Sequence, residues 1–222
     1  MIFKVEGIKK CYRNKQVLKS VSFEADSGCC IGVLGGNGAG KSTLLSILAG
    51  IQKPDSGSFV YNGVDMLKDS VSRSAVVGYV PQGTPLIPEL TAKDNLLLWY
   101  DRKNMHRELE AGVLKLLGIR EFLDVPVRKM SGGMKKRLSI GCAVAGRPPV
   151  LLLDEPTAAL DLVCKRDITL YLEAYKKAGG IIIMTTHDVA ELAVCDVCYI
   201  MKDGALHPYS YDGDVNALIE KL

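Results

Sequence analysis

The sequence predicts an α/β fold with a mostly parallel central sheet, an N-terminal antiparallel β-subdomain and an inserted α-helical subdomain. Apolar and polar residues alternate through much of the first thirty residues, as expected for half-buried antiparallel strands. Apolar runs at residues 150–153 and 181–184 are uninterrupted, which is typical of strands buried on both faces of a parallel sheet. Residues 91–147 show helical spacing instead, so we expect a helical region inserted between the strands.

Turn residues bound the N-terminal strands. A turn-like Arg13-Asn14-Lys15 separates two alternating segments, and the hairpin-type pair Asn62-Gly63 follows a strand at residues 57–61. A short apolar strand at residues 76–80 is closed by Pro81-Gln82. These signals predict antiparallel strands that lead into the central sheet.

Helices and strands alternate through the rest of the chain. Thr91 and Asp94 have the spacing of a capping box, and apolar residues then recur at helical spacing as far as Gly118. A helix over residues 162–178 stops at Gly179-Gly180, and a strand follows directly. Such alternation indicates right-handed crossovers, with ligands at the carboxyl ends of the strands. Within a single domain over residues 1–222, we expect a β-subdomain with the first part of the core, a helical subdomain and the rest of the core at residues 1–82, 83–147 and 148–222.

An apolar strand, a glycine-rich turn and a helix start follow one another at residues 31–43. This stretch fills every fixed position of the pattern G-x-x-x-x-G-K-[ST], which predicts a P-loop NTPase core. Glycines let several backbone N–H groups approach one anion, and the helix N-terminus adds a partial positive charge. An ordinary glycine-rich turn is the alternative, and the complete match disfavours it. The predicted phosphate-binding residues are Gly35, Gly36, Asn37, Gly38, Ala39, Gly40, Lys41, Ser42 and Thr43.

Charged and polar residues that suit the same chemistry follow the buried strands. Lys41 supplies a cation for the β and γ phosphates, and the hydroxyl of Ser42 suits Mg²⁺. An apolar strand that ends in Asp is the Walker B pattern, in which Asp154 binds Mg²⁺ and Glu155 orients or deprotonates water. His187, after the next strand, could hydrogen-bond the γ phosphate. For the two carboxylates, the alternative is a pair of surface groups that cap a turn.

Composition limits the function further. The formal net charge is +3, and residues 100–137 hold ten Lys or Arg against five Asp or Glu. That segment indicates either a solvated helix face, which is the commoner case, or a surface for nucleic acid or anionic lipid. Seven cysteines without a disulfide-like layout and an N-terminus without a secretory segment predict a cytosolic protein. For Cys195 and Cys198 we expect core packing rather than redox or metal chemistry. No apolar run approaches the roughly 18 residues of a membrane span, so any membrane contact needs a separate subunit.

Residues Met130-Ser131-Gly132-Gly133-Met134 resemble the L-S-G-G-Q signature, and essentially the whole chain resembles the nucleotide-binding subunit of an ABC transporter. In that family the motif caps a helix and binds the γ phosphate of the nucleotide held by the other subunit. Ser131 can serve as an N-cap, and Gly132-Gly133 expose backbone N–H groups at a helix start. The alternative is a plain serine-capped helix.

The resemblance assigns other positions one by one. Tyr12 matches the aromatic residue that stacks on adenine, and Gln82 matches the Q-loop glutamine that touches Mg²⁺ and links to the membrane subunit. Ala159-Leu160-Asp161 matches the D-loop at the dimer contact, and His187 matches the switch histidine. A core tyrosine and a surface-loop glutamine are the alternatives. The chain departs from the family pattern at three positions, with Gly36 for proline, Met130 for leucine and Met134 for glutamine. None of these departures removes a catalytic group. Met134 in place of glutamine resembles exporter subunits.

The resemblance implies an ATPase that uses ATP and Mg²⁺. Its catalytic residues would be Lys41, Glu155 and His187, and its metal ligands Ser42, Gln82 and Asp154. Two copies, or this chain and a paralogous subunit, would close head to tail and drive a separate transmembrane permease from the cytoplasmic face of the membrane, with export favoured. No nucleic-acid partner is expected. An ABC-type ATPase acting on nucleic acid or ribosomes is disfavoured by the single cassette without heptads, and a P-loop kinase by the signature residues.

Overall fold

The computed structural model describes residues 3–158, 160–211, 213 and 215–221. Within these residues the chain forms two β-sheets and nine α-helices. The strands are β1 (Phe3–Tyr12), β2 (Lys15–Ala25), β3 (Cys30–Leu34), β4 (Ser56–Tyr61), β5 (Val64–Asp65), β6 (Val77–Val80), β7 (Val150–Asp154), β8 (Ile181–Thr185), β9 (Val197–Lys202) and β10 (Ala205–Tyr209). The helices are α1 (Lys41–Leu48), α2 (Ser70–Val76), α3 (Ala92–Leu96), α4 (Arg102–Ala111), α5 (Val113–Leu116), α6 (Gly132–Ala143), α7 (Leu162–Lys177), α8 (Val189–Leu192) and α9 (Val215–Lys221), with 3₁₀ helices at Ile119–Phe122 and Val127–Lys129.

The smaller sheet has the order β2-β1-β4-β5, and every neighbouring pair in it is antiparallel. One face is buried because apolar side chains occupy alternate positions of its strands. The rings of Phe3, Phe23 and Phe59 meet on that face, with centroids 4.8 Å apart for Phe3 and Phe59. Burial of each ring contributes about 1.5–3 kcal/mol. The predicted antiparallel β-subdomain is confirmed.

The larger sheet has the order β10-β9-β3-β8-β7-β6, and every neighbouring pair is parallel except β9 and β10. β3, β7 and β8 are buried along their whole length. Leu151 and Leu153 of β7 pack on the side of α6 and α7, whereas Val150 and Leu152 pack on the side of α1 and the smaller sheet. Both faces are therefore covered, which explains the uninterrupted apolar runs and confirms the predicted parallel core.

The helical region is broken where the sequence predicted continuous helical spacing towards Gly118. Gly112 separates α4 from α5 in extended backbone, with φ −116° and ψ −154°. The Glu108 carboxylate folds over this glycine, where a Cβ would lie 1.8 Å from Glu108 Oε2. That carboxylate accepts a hydrogen bond of 3.0 Å from Val113 N and so caps the second helix. Local capping therefore interrupts the period.

Two shorter helices complete the comparison with the prediction. The capping box at Thr91 and Asp94 is present at the start of α3, with each side chain bonded to the other residue's backbone N–H. The sequence analysis did not predict α2, whose N-cap Asp69 accepts a hydrogen bond of 2.9 Å from Ser72 N. None of the residues of α2 is fully buried, so hydrophobic periodicity gives no signal for it.

Four adjacent parallel strands, β3, β8, β7 and β6, end at the same edge of the larger sheet. The residues at or just after their ends are the glycine-rich loop 35–40, His187, the pair Asp154 and Glu155, and Gln82. This edge brings together groups that are up to 152 positions apart in the sequence (35 to 187). Across the described residues, no helix combines the length and the hydropathy of a membrane span.

Candidate functional site

The glycine-rich loop joins the buried strand β3 to α1. Gly35 has φ 152°, and a Cβ there would lie 2.5 Å from the carbonyl oxygen of Met201. Gly40 is the N-cap of α1 with φ 110°, a conformation that L side chains rarely adopt. The loop can therefore follow this path only with glycine at both positions. Its course turns the N-terminus of α1 towards the sheet edge, where a helix start favours an anion.

Lys41, the first residue of α1, is buried with 6% of its surface exposed. Its Nζ donates to the carbonyl oxygens of Gly35 at 2.6 Å and Gly36 at 3.2 Å, and lies 3.1 Å from Nε2 of His187. Burial lowers the pKa of Lys41, while the carboxylates of Glu155 and Asp154 oppose this shift. An ammonium held in this way gains a counter-charge when a phosphate approaches.

The carboxylates at the end of β7 are fixed by the neighbouring strand. Asp154 is 3% exposed and accepts a hydrogen bond of 2.5 Å from the hydroxyl of Thr185, the last residue of β8. Glu155 has φ 48°. Its backbone nitrogen lies 3.1 Å from the hydroxyl oxygen of Thr185 and 3.2 Å from the carbonyl oxygen of Thr185. Thr185 thus orients both residues. The sequence analysis missed it, although a hydroxyl at the end of an otherwise apolar strand was a usable signal.

The Glu155 side chain lies between two other predicted site residues. Gln82 Nε2 donates to Glu155 Oε2 at 3.0 Å, and Nε2 of His187 lies 3.3 Å from Glu155 Oε1. His187 Nε2 thus lies within hydrogen-bond distance of Lys41 Nζ, at 3.1 Å, as well as of the Glu155 carboxylate. The structure therefore brings Lys41, Gln82, Asp154, Glu155 and His187 together. Their catalytic and metal-binding roles stay predictions.

A cavity of about 290 Å³ lies beside this cluster. Its oxygen groups suit Mg²⁺, because the Ser42 hydroxyl, the Asp154 carboxylate nearby and the Gln82 amide oxygen are hard ligands. Gln82 bonds to Glu155 through its nitrogen, which leaves the oxygen for a metal. Backbone N–H groups and Lys41 suit phosphates. The residues present thus fit Mg²⁺ and a nucleotide. The described lining of the cavity is Val17, Asn37, Gly38, Ala39, Gly40, Lys41, Ser42, Thr43, Gln82 and Glu155.

Tyr12 lies at the end of β1 with 41% of its surface exposed, so it is not a core tyrosine. Its hydroxyl bonds to Gln52, and Lys10 Nζ lies 5.6 Å from the ring centroid. Tyr12 pairs with Lys15 across the β1–β2 hairpin. Lys15 lines a second cavity, of about 390 Å³, that also borders residues 36–39 of the glycine-rich loop. Tyr12 is not itself among the described residues that line this cavity, so its role in stacking on a base stays a prediction.

The signature residues lie at the start of α6. Ser131 is the N-cap, and its hydroxyl accepts a hydrogen bond of 3.3 Å from Met134 N. Ser131 and Gly132 are exposed, whereas Gly133 is buried against α7. A Cβ on Gly133 would lie 2.3 Å from Cys164 Sγ, so only glycine permits this packing. Residues 131–133 are not among the described residues that line either cavity at the P-loop.

The predicted D-loop adjoins the signature helix. Asp161 caps α7 and accepts a hydrogen bond of 2.9 Å from Cys164 N, while Leu160 Cδ2 would lie 3.8 Å from a Cβ on Gly132. Ala159 lies outside the described residues. The structure thus forms two separate groups of predicted residues, one around Lys41 and one around Ser131.

The first group combines a glycine-rich loop and its lysine, after β3, with a pair of carboxylates at the end of β7, two strands away in the same sheet. This combination defines the class of P-loop ATPases.

Comparisons with known proteins extend that class assignment. The model of the ABC transporter family matches residues 18–158. The Nod factor export ATP-binding protein I of Sinorhizobium fredii is 36% identical over 203 residues, which cover 89% of this chain and 59% of that protein. The spermidine/putrescine import ATP-binding protein PotA of Spiroplasma citri is 36% identical over 211 residues, which cover 92% of this chain and 60% of that protein.

A solved structure agrees with these sequence relatives. The dimeric post-hydrolysis state of the ATP-binding cassette MJ0796, bound to ADP and Pi, superposes with a TM-score of 0.84 at 26% identity. The match covers 96% of this chain and all of that one (100%).

The family match spans more than half of the chain, so this protein belongs to the ABC transporter family. Within that family it is an ATP-binding and ATP-hydrolysing cassette. The chain spans about three fifths of the length of the two curated relatives, at 59% and 60%.

Proposed function

We propose that this chain powers transport through a separate transmembrane permease, by binding and hydrolysing ATP with Mg²⁺ at the edge of the larger sheet. The observation that carries the proposal is the position of Glu155, between Gln82 and His187 and beside the cavity that Lys41 lines. A carboxylate so placed can orient or deprotonate the attacking water. The family match and the dimeric relative bound to ADP and Pi support the same reading.

The residues of the cluster have separate physical tasks in the proposed reaction, in which His187 would hydrogen-bond the γ phosphate. Lys41 and the N–H groups of the glycine-rich loop bind the β and γ phosphates, and Glu155 takes a proton from water. Ser42, Gln82 and Asp154 would hold Mg²⁺, which supplies positive charge to the phosphate oxygens when bound. Because phosphoryl transfer to water needs no covalent intermediate with the protein, the chain contributes positioning and electrostatic stabilisation.

Ser131 and Gly132 complete the proposed site in trans. An exposed, serine-capped helix start presents N–H groups to an anion, and these residues are not part of the described lining of the cavities at the P-loop. A head-to-tail pair of chains, or this chain with a paralogous subunit, would place Ser131 of one chain at the nucleotide held by Lys41 of the other. ATP then favours the paired state because it binds that state better.

The direction of transport that we propose is export. Met134 in place of glutamine resembles exporter subunits, and one of the two curated relatives is a Nod factor export protein, while the other serves import. Transport of a labelled substrate into inverted vesicles would test the direction once the permease is known.

The proposed permease contact lies in the helical region, at the cytoplasmic face of the membrane. Trp99 and Leu98 are exposed there, at 66% and 59%. Two basic side chains of residues 100–137 have acidic partners in the chain, because Arg120 pairs with Glu110 at 2.8 Å and Arg137 with Asp167 at 3.6 Å. These pairs support a structural role for the basic segment rather than a nucleic-acid surface.

Glu155→Gln tests the proposed function. The amide keeps the shape of the side chain but cannot accept a proton, so we expect nucleotide affinity within about twofold of wild type and a loss of turnover of roughly 100-fold or more. Steady-state phosphate release and nucleotide titration measure the two quantities. Glu24→Gln, which changes an exposed carboxylate on β2, is the matched control and should leave both unchanged.

The same variant also tests assembly. Glu155→Gln protein should shift to the mass of a dimer only when ATP is present. Turnover near the wild-type value in Glu155→Gln, or a wild-type protein that releases no phosphate from ATP, would contradict the proposed function.

A further inference from the structure

The second turn of the signature helix α6 carries a buried lysine. Lys136 is 5% exposed, five residues after the N-cap Ser131. Its Nζ donates to the carbonyl oxygens of Pro81 at 3.0 Å and Gln82 at 3.1 Å. Lys135, which precedes it on the same helix, is only half-buried. One side chain thus joins the signature helix to the segment that follows β6.

Lys136 bonds to the backbone of Gln82, and Gln82 in turn contacts Glu155, the proposed catalytic carboxylate. The side chain of Gln82 donates to Glu155 Oε2 at 3.0 Å. Residues 81–88 form neither a strand nor a helix, so a side chain from outside contributes to fixing their path. A continuous series of contacts therefore runs from α6 through Lys136 and the backbone of Gln82 to Glu155.

Packing by itself does not require an ammonium group at this position. Burial lowers the pKa of Lys136, whereas the carboxylates of Asp154, Glu155 and Glu191 oppose the shift. The cost of burying a charge is avoided by an apolar side chain of the same length. The ammonium is distinguished from such a side chain by the two carbonyls it bonds and by its closeness to the catalytic carboxylates.

We propose that Lys136 is a positioning residue, which holds the backbone of Pro81 and Gln82 so that the Gln82 side chain fixes Glu155 for the reaction. The inference rests on the proposed function, because it assigns Lys136 an effect on ATP turnover. It also connects two sites, since α6 of one chain touches the partner's nucleotide while its Lys136 sets the Gln82 of its own chain. A displacement of α6 then moves Gln82 relative to Glu155.

Lys136→Met removes the donors and keeps the length of the side chain. We expect kcat to fall by about 10- to 100-fold, because misplacement of a catalytic group by around 1 Å has effects of this size, while the KM for ATP changes by less than about twofold. Lys135→Met is the matched control on the same helix and should leave kcat unchanged. Lys136→Gln keeps N–H donors and should retain more of kcat than Lys136→Met.

A double-mutant cycle with Gln82→Ala distinguishes positioning from a merely structural role. If Lys136 acts through Gln82, Lys136→Met should lower kcat by no more than about twofold in the Gln82→Ala background. Thermal unfolding of each variant monitors the fold. Should Lys136→Met not fold, Lys136→Gln in the two Gln82 backgrounds provides the same comparison.

Three outcomes overturn the inference. They are an unchanged kcat in Lys136→Met, an equal loss of kcat in both Gln82 backgrounds, and a loss that is accompanied by an equal rise in the KM for ATP. A wild-type protein without ATPase activity would instead refute the proposed function, so the two failures are distinguishable.

Discussion

Two helices begin at residues that the sequence predicts to bind phosphate, and their first turns are built differently. α1 starts after Gly40, which has φ 110° and makes no side-chain cap bond. α6 starts after Ser131, which lies in extended backbone and accepts a hydrogen bond from Met134 N. The first helical residue of α1, Lys41, is buried, whereas Gly132 at the start of α6 is exposed.

The difference lies in what surrounds each start. Lys41 has carbonyls of its own loop and His187 at hydrogen-bond distance, with Glu155 and Asp154 close enough to affect its pKa. At the start of α6, a Cβ added to Gly132 would lie nearest to Leu160, and one added to Gly133 would lie nearest to Cys164. The first start therefore has several polar and charged side chains of its own chain around it. The second leaves an exposed N-terminus and a hydroxyl, and in the proposed shared site the phosphate held by the other chain would bind there.

The largest predicted effect on ATP turnover comes from changing the start of α1 in one chain and the start of α6 in another. Lys41→Ala and Ser131→Arg should each lower turnover by roughly 100-fold or more, because one removes a phosphate cation and the other blocks a helix N-terminus. Mixed in equal amounts, they should recover activity at up to about a quarter of the sites, since random pairing makes half of the dimers mixed and each of these has one intact site. Phosphate release from the two proteins, alone and mixed, measures this.

The control for that experiment is a mixture in which every site lacks Lys41. A chain with both changes, mixed with Lys41→Ala, cannot form an intact site and should remain inactive. A mixture of the two single variants that is no more active than its parts would argue against a site shared between chains.

The next largest expected effect is a loss of nucleotide affinity at the first helix start, caused by changing Tyr12. In its predicted stacking role, Tyr12→Ala should weaken ATP and GTP alike by about 1–3 kcal/mol, or roughly 5- to 150-fold, because stacking uses a ring face that both bases share. Tyr12→Phe keeps that face and loses only the bond to Gln52, so it should bind nearly as wild type. Titration of both nucleotides at a protein concentration that keeps the chain monomeric measures this, and equal affinities in all three proteins would exclude stacking.

The smallest effects come from exchanging the two N-caps. Gly40→Ser places a side chain where φ is 110° and where a Cβ lies 2.9 Å from Leu18 Cδ2, so we expect a loss of about 1–3 kcal/mol in the free energy of unfolding. Ser131→Gly loses a side-chain cap in a conformation that glycine tolerates, and should cost only about a few tenths of a kcal/mol. Urea unfolding of both variants gives the two values, and comparable losses would mean that the starts are alike.

Several features of this protein could be predicted from the residues because they depend on neighbours in the chain. The P-loop match, the cap at Thr91 and the buried runs that became β7 and β8 are local patterns of residue type and period. Those patterns also put Lys41, Asp154 and His187 after or at the ends of strands, where ligands bind in a parallel sheet.

The class of fold, the phosphate-binding loop and the order of the site residues thus follow from local residue types and periods. The side chains that hold the site residues in place follow from contacts between elements that are distant in the chain. The hydrogen bond from Thr185 to Asp154 and the contacts of Lys136 with Pro81 and Gln82 join residues whose types are ordinary in their local setting. Such contacts depend on distances and rotamers across elements, which no local period encodes, whereas strand and helix periods follow from backbone geometry that every residue shares.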